Sequence, residues 1–128
     1  MAKAERFEDL MVWQDARQLR KDVYAASKSG EFARDFEMRG QIRSAALSAM
    51  SNAAEGFERG SNKEFAHFLN IAKGSVGEVR SLLYAALDES YLKQATFDGL
   101  YAQCMKLSRR TSRFITYLQR ATKRPSAT

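Results

Sequence analysis

The stretch Ser48–Ser75, SAMSNAAEGFERGSNKEFAHFLNIAKGS, decides the fold of this 128-residue chain. Gly60 interrupts it, and Ser61-Asn62-Lys63-Glu64 follows with the spacing of a capping box. In such a box the Ser61 hydroxyl accepts from the amide of residue 64, and the Glu64 carboxylate reaches back to the cap amide. A helix therefore starts at 61. Phe65, Leu69, Ala72, Val76, Val79, Leu83 and Ala86 continue it at 4-3-4-3 spacing, which predicts a helix over 61–91 with one apolar side. Upstream, Ile42, Ala46, Met50, Ala53 and Phe57 mark the apolar side of a helix over 34–58, dominated by Ala, Ser and Gly from Ser44 to Gly56. Small side chains let a second backbone approach, so this segment is expected to make a tight helix–helix contact. Gly74 and Gly77 each disfavour their helix by about 1 kcal/mol relative to Ala. Their expected use is close contact with that small-residue face.

Working outward, Val12, Ala16, Leu19, Val23 and Ala26 predict a first helix over 10–29, with Gly30 as its stop and Trp13 capping the end of the bundle. A last helix is expected over 96–122, with Thr96 as N-cap, Asp98 favourably placed against the helix dipole, and Leu100, Cys104, Leu107, Thr111, Phe114 and Leu118 as its apolar stripe. Residues 123–128 read as a loose tail. Long amphipathic helices with short connections make antiparallel neighbours. The expectation is an all-α, up-down-up-down four-helix bundle forming a single domain over 1–128. One Pro and seven Gly are too few for the turns of a sheet protein. The single Cys excludes an intramolecular disulfide and fits a reducing, cytoplasmic setting. The N-terminus MAKAERFEDL has no secretory apolar core, and no run is long enough to span a bilayer, so no membrane partner is expected.

Several pieces together resemble a family. Asn52-Ala53-Ala54-Glu55-Gly56, Arg59, Ser61-Asn62-Lys63-Glu64-Phe65 and Ile71-Ala72-Lys73-Gly74-Ser75 are similar to the bacterial four-helix-bundle proteins encoded by intervening sequences in 23S rRNA genes. The similarity spans about Trp13 to Leu92 and includes Phe32-Ala33-Arg34-Asp35-Phe36, Gln41-Ile42-Arg43 and Gly77-Glu78-Val79-Arg80-Ser81. It implies a homo-oligomer, a pentamer in family members, with no known catalytic activity and no cofactor. A more distant resemblance, to the accessory protein of diversity-generating retroelements, implies binding of nucleic acid and a nucleic-acid enzyme through a basic surface. The chain departs from the family pattern at Ser44, where a second Arg is common, which weakens the second helix as that surface. It departs again at Ala49 and Ala53, where Ile is common and where Ala removes core volume.

Charge gives the functional expectation. The net charge is +6, yet none of the 15 acidic residues follows Asp98, while seven of the 21 basic residues do. The first 98 residues thus carry a net charge of −1, and the whole positive excess lies in the last segment. Lys106, Arg109, Arg110, Arg113, Arg120 and Arg124 fall within about 100° of a helical wheel, opposite the Leu/Phe stripe, and Tyr117 falls among them. With Lys123 these residues are the candidate site for RNA or DNA, the cations tracking phosphates and Tyr117 stacking on a base. A solvated face with cations favoured by the helix C-terminal dipole is the plainer reading, but such a face is usually of mixed sign. The alternative function is a protein-interaction or assembly module, or an accessory subunit of a nucleic-acid enzyme, that does not bind nucleic acid itself.

Asn52, Glu55 and Arg59 share a helix face, and Glu78 is placed to meet them from the antiparallel third helix. This group is expected to be a structural polar network fixing helix register or a subunit contact, with an exposed recognition patch as the alternative. Glu64 and His67 have the Glu-x-x-His spacing of di-iron bundles, but such a site needs two copies and two further Glu, so no metal is expected. Lys73-Gly74-Ser75 lacks the order and the preceding strand of a phosphate loop. Cys104 reads as a small core residue. No nucleophile or catalytic base accompanies the carboxylates, and the chain is expected not to be an enzyme.

Overall fold

A 3₁₀ turn at Phe7–Asp9 leads into α1 (Met11–Ala26), α2 (Gly30–Arg34), α3 (Phe36–Glu58), α4 (Asn62–Asp88) and α5 (Gln94–Lys123). This computed structural model describes residues 4–123, the side chains of Thr122 and Lys123 excepted. The four long helices form a ring in which α3 packs against α1 and α4, and α5 against α4 and α1. Cross-helix pairs show that neighbours run antiparallel. Ser48 meets Ser75 and Gln41 meets Glu78 between α3 and α4, while Asp15 meets Arg110 and Asp22 meets Gln103 between α1 and α5. The result is the expected all-α, up-down-up-down four-helix bundle.

Every residue of the Phe65-to-Ala86 stripe is buried, because one uninterrupted 3.5-residue period keeps that side of α4 turned inward. Where four helices meet at mid-height, Ala16, Ala49, Ala53 and Ala72 sit among Val12, Leu69, Val76, Leu107 and Thr111, and the space between them holds no water-sized void. The volume lost at Ala49 and Ala53 is thus closed by helix approach. Larger rings fill the two ends. Phe57, Phe65 and Phe114 pack edge to face at one, where Trp13 lies under Phe7, and Phe32 stacks on Tyr91 at the other.

Several boundaries differ from those expected. The predicted second helix is broken at Asp35, whose backbone leaves the helical region (φ −84, ψ 83) and whose side chain accepts from the Met38 amide to cap α3. Asp35 also accepts from the Tyr91 hydroxyl at 2.9 Å, which ties the break to the far end of α4. α1 stops at Ser27, three residues before Gly30. The Ser27 hydroxyl returns to the Val23 carbonyl, and Arg43 donates to Ser27 and to the Tyr24 carbonyl, so a side chain from α3 finishes the helix. Gly30 (φ +66) instead opens α2.

α4 ends at Asp88 in a left-handed cap: Ser90 takes φ 61, and the Tyr91 amide bonds the Ala86 carbonyl at 2.9 Å. Thr96 is not an N-cap, since α5 starts at Gln94 and the Lys93 carbonyl accepts from the Phe97 amide; Asp98 accepts from the Gln94 side-chain Nε2. Ser61 does cap α4 through the Glu64 amide at 3.2 Å, but its own hydroxyl donates to the Glu64 carboxylate.

The role expected of Gly74 and Gly77 belongs to another glycine. Both are exposed, with nothing within 4 Å of where a Cβ would stand. Gly56 is a close approach of α3 to α4. A Cβ there would lie 2.8 Å from Phe68 Cβ, 2.9 Å from Phe65 Cδ1 and 3.2 Å from the Phe65 carbonyl oxygen.

Candidate nucleic-acid interface

α5 seats Phe97, Leu100, Cys104, Leu107, Thr111, Ile115 and Leu118 in the core, with Phe114 only half-buried beside them. The hydroxyl of Thr111 returns to the Leu107 carbonyl at 2.7 Å, so a polar residue fits the apolar side without an unpaired group. This seating turns Lys106, Arg109, Arg113, Tyr117 and Arg120 outward, and all five are exposed, Tyr117 to 55%. None of these four cations forms an ion pair among the described residues.

Arg110 departs from the expected stripe. It pairs with Asp15 of α1, and both side chains are only 24% exposed. About two turns further along the seam, Gln103 donates to Asp22 at 2.8 Å. Two α1 carboxylates therefore line one flank of the stripe and neutralise its nearest cation. Lys123 closes α5 but its side chain lies outside the described part, as does Arg124 altogether.

The opposite flank is formed by α4, and sequence reasoning missed it. Lys73, Gly77, Arg80 and Tyr84 recur at spacings of 4, 3 and 4, so they share one side of the helix. That this side faces α5 is fixed by contacts. Arg80 donates to Met105 Sδ at 3.2 Å and lies 5.8 Å from the Tyr101 ring centroid, while Tyr84 packs on Phe97 and Tyr101 at 5.1 and 5.9 Å. Tyr84 is nonetheless 51% exposed. The neighbouring Tyr101 hydroxyl holds the Tyr84 phenol above its ordinary 10.0. The signal available in the sequence was that no acid falls on this side before Asp88. α4 carries only Glu78 between Glu64 and Asp88, and Glu78 turns to Gln41 of α3.

The group Asn52, Glu55, Arg59 and Glu78 does not form one network. Asn52 donates to the Ser48 carbonyl and hydroxyl, and Ser48 meets Ser75 at 2.9 Å, which joins α3 to α4. Glu55, Arg59 and Glu64 form an exposed chain of ion pairs at 3.6 and 4.0 Å, with the Arg59 guanidinium over the Phe68 ring. Glu78 stands apart with Gln41 at 3.5 Å. No hydrogen bond or ion pair among the described residues joins these three pieces.

His67 is exposed, and among the described residues no three His, Cys, Asp or Glu side chains converge as a metal site. Burial pushes the Cys104 thiol up to about 12 against a smaller opposing pull from Arg80, so it stays protonated and unreactive. No helix among the described residues is long and apolar enough to cross a membrane.

The family model described as 23S rRNA-intervening sequence protein matches residues 8–113, which takes in four helices and most of the fifth. The chain belongs to that family. A crystal structure of an S23 ribosomal protein family member of unknown function, from Bacteroides thetaiotaomicron, superposes with a TM-score of 0.77. It shares 18% identity and covers 82% of this chain and 98% of its own, so the likeness is one of fold. No curated protein matches this 23S rRNA-intervening sequence protein. The matched region stops at Arg113, within the exposed stripe of α5, leaving Tyr117 and Arg120 outside it.

Proposed function

We propose that this 23S rRNA-intervening sequence protein is a non-enzymatic, self-associating bundle that binds nucleic acid through the exposed side of α5. The observation that carries the reading is the row Lys106, Arg109, Arg113 and Arg120: four solvent-facing cations on one helix with no acid partner among the described residues. An ordinary solvated helix intersperses acids that lower its self-repulsion, whereas a row of one sign gains when a polyanion releases its counterions. Self-association, as a pentamer by family resemblance, would repeat the row around a ring. Gly40 and Gly74 leave flat helical surface that costs the isolated chain stability and touches nothing within it.

Titration of labelled RNA at several salt concentrations tests the reading. Four phosphate contacts give a log–log salt slope of about −3 to −4. An Arg109→Glu/Arg113→Glu variant is expected to lose most affinity while keeping its helical spectrum. Absence of binding at low salt, or an affinity unaltered by the two charge reversals, would overturn it. Static light scattering at micromolar concentration checks self-association, and a monomer there contradicts that part alone.

A further inference from the structure

We infer that the nucleic acid is single-stranded, and that its site continues from α5 onto α4, where an unpaired base stacks on Tyr84. This rests on the α5 reading above and names its ligand class. Three observations lead to it.

The field around α5 is lopsided. Asp15 and Asp22 line its α1 flank, whereas the α4 flank presents Lys73 and Arg80, and its one acid, Asp88, comes a turn beyond Tyr84. A phosphate backbone laid along Arg109 and Arg113 is repelled on one side and drawn across the other, toward the α4–α5 groove. The groove is also open, because Gly77 has nothing within 4 Å of its missing Cβ, between Lys73 and Arg80 on the helix face.

At the end of that groove stands a ring that the bundle anchors but does not cover. Tyr84 packs at 61° and 78° to Phe97 and Tyr101, which are themselves stacked at 26°, so its position is set by two partners while half of it meets water. A ring held in place loses little freedom when a base stacks on it. From Tyr101 to Arg113 the helix rises about 18 Å, which sets the anchored rings at one end of a cationic track and Tyr117 beyond the other.

Rings beside a phosphate track are of use only to bases that have left a duplex. Bases in a double helix are already stacked on one another, and the narrow major groove of A-form RNA admits no side chain. Cations alone would serve a duplex equally well; the exposed Tyr84 separates the two ligands.

The experiment is fluorescence anisotropy with labelled oligo-uridylate and oligo-thymidylate of about a dozen nucleotides, against a blunt duplex of equal length. The single strands are expected to bind tighter than the duplex, the two arms showing whether a 2′-hydroxyl contributes. Tyr84→Leu, which keeps apolar packing on Phe97, is expected to weaken single-strand binding by about 5- to 150-fold, the worth of one stacked base. It should leave duplex binding unaltered, and Tyr84→Phe should bind as the parent does. Photocrosslinking of a thiouridine-containing strand to the unaltered protein needs no variant, and the adduct is expected on Tyr84. Equal affinity for duplex and single strand, a folded Tyr84→Leu that binds single strands as before, or adducts confined to other residues each overturn the inference and leave the α5 reading standing. Binding of neither strand nor duplex by the parent protein refutes that reading, and this one with it.

Discussion

Replacing Gly56 by Ala tests the close approach of α3 to α4. Two terms of opposite sign meet there. Ala is the better helix former by up to about 1 kcal/mol, which on its own would stabilise the last turn of α3. Against this, the new methyl would stand 2.8 Å from Phe68 Cβ and 2.9 Å from Phe65 Cδ1. Phe65 could swing its ring, but a Cβ moves only with its backbone, and the Phe65 carbonyl oxygen at 3.2 Å blocks a slide along α4. Relief therefore requires the two helices to part by several tenths of an ångström over this turn, an overpacking cost of about 1–3 kcal/mol. The net expectation is destabilisation by up to about 2 kcal/mol. Gly74→Ala is the matched control, with the same chemistry on α4 and open space around it, and is expected to stabilise by about 0.5–1 kcal/mol. For a chain of this length each kcal/mol moves the melting temperature by roughly 3–6 °C, so the two variants should melt up to about 10 °C apart. Far-ultraviolet circular dichroism melts, run at two protein concentrations to hold association constant, read the gap. A Gly56→Ala protein that melts with or above Gly74→Ala would show that α3 and α4 are not in contact as described.

Cys104 should resist a disulfide reagent near neutral pH in the native protein and react fully once denatured, because its thiol is buried and its pKa stands at about 12; prompt native reaction would mean that α5 opens readily. Tyr91→Phe removes the hydroxyl that donates to Asp35, and should lower the melting temperature at neutral pH. The same hydrogen bond, followed by desolvation, holds the phenol above 10.0, so the folded state keeps the proton more tightly than the unfolded chain. That contribution is complete below pH 10.0 and is lost as pH rises through the folded value; the difference between parent and variant should therefore shrink in alkaline melts.

How much was readable from the sequence depends on where each structural decision is made. The α4 stripe was fully legible because period and burial are the same fact seen twice. The Ser61 cap was legible because its partner lies three residues away. What failed was decided by distant partners. Asp35 breaks a helix that local pattern would continue because Tyr91, 56 positions later, holds its carboxylate, and α1 ends where Arg43 of the next long helix reaches it. The end of α4 gave no glycine signal, since Ser90 occupies the left-handed position. Gly56 and Gly74 look alike in sequence, and only the packing of Phe68 tells them apart. At the candidate site, the wheel turned Lys106, Arg109, Arg113 and Arg120 away from the core, where they lie, but a wheel has no neighbours. It could not show that Arg110 is held by Asp15, nor that α4 contributes Arg80 and Tyr84 alongside.

The α1–α5 seam has a further consequence. Its pair Asp15–Arg110 joins positions 95 apart, whereas α3–α4 and α4–α5 join consecutive long helices. Closing so long a loop comes late in folding, after the helical hairpins have formed, because its entropy is recovered only by the final contacts. The same seam is then the natural place for the closed bundle to begin to open. When α1 lifts away, Arg110 is released from its carboxylate and the α5 row gains a fifth free cation. If α5 binds nucleic acid as proposed, the opened form would hold the polyanion more tightly than the closed one, and by linkage the polyanion would draw the bundle toward opening along this edge. A contact that neutralises one arginine in the resting fold thus couples the stability of the first helix to the charge the last one presents.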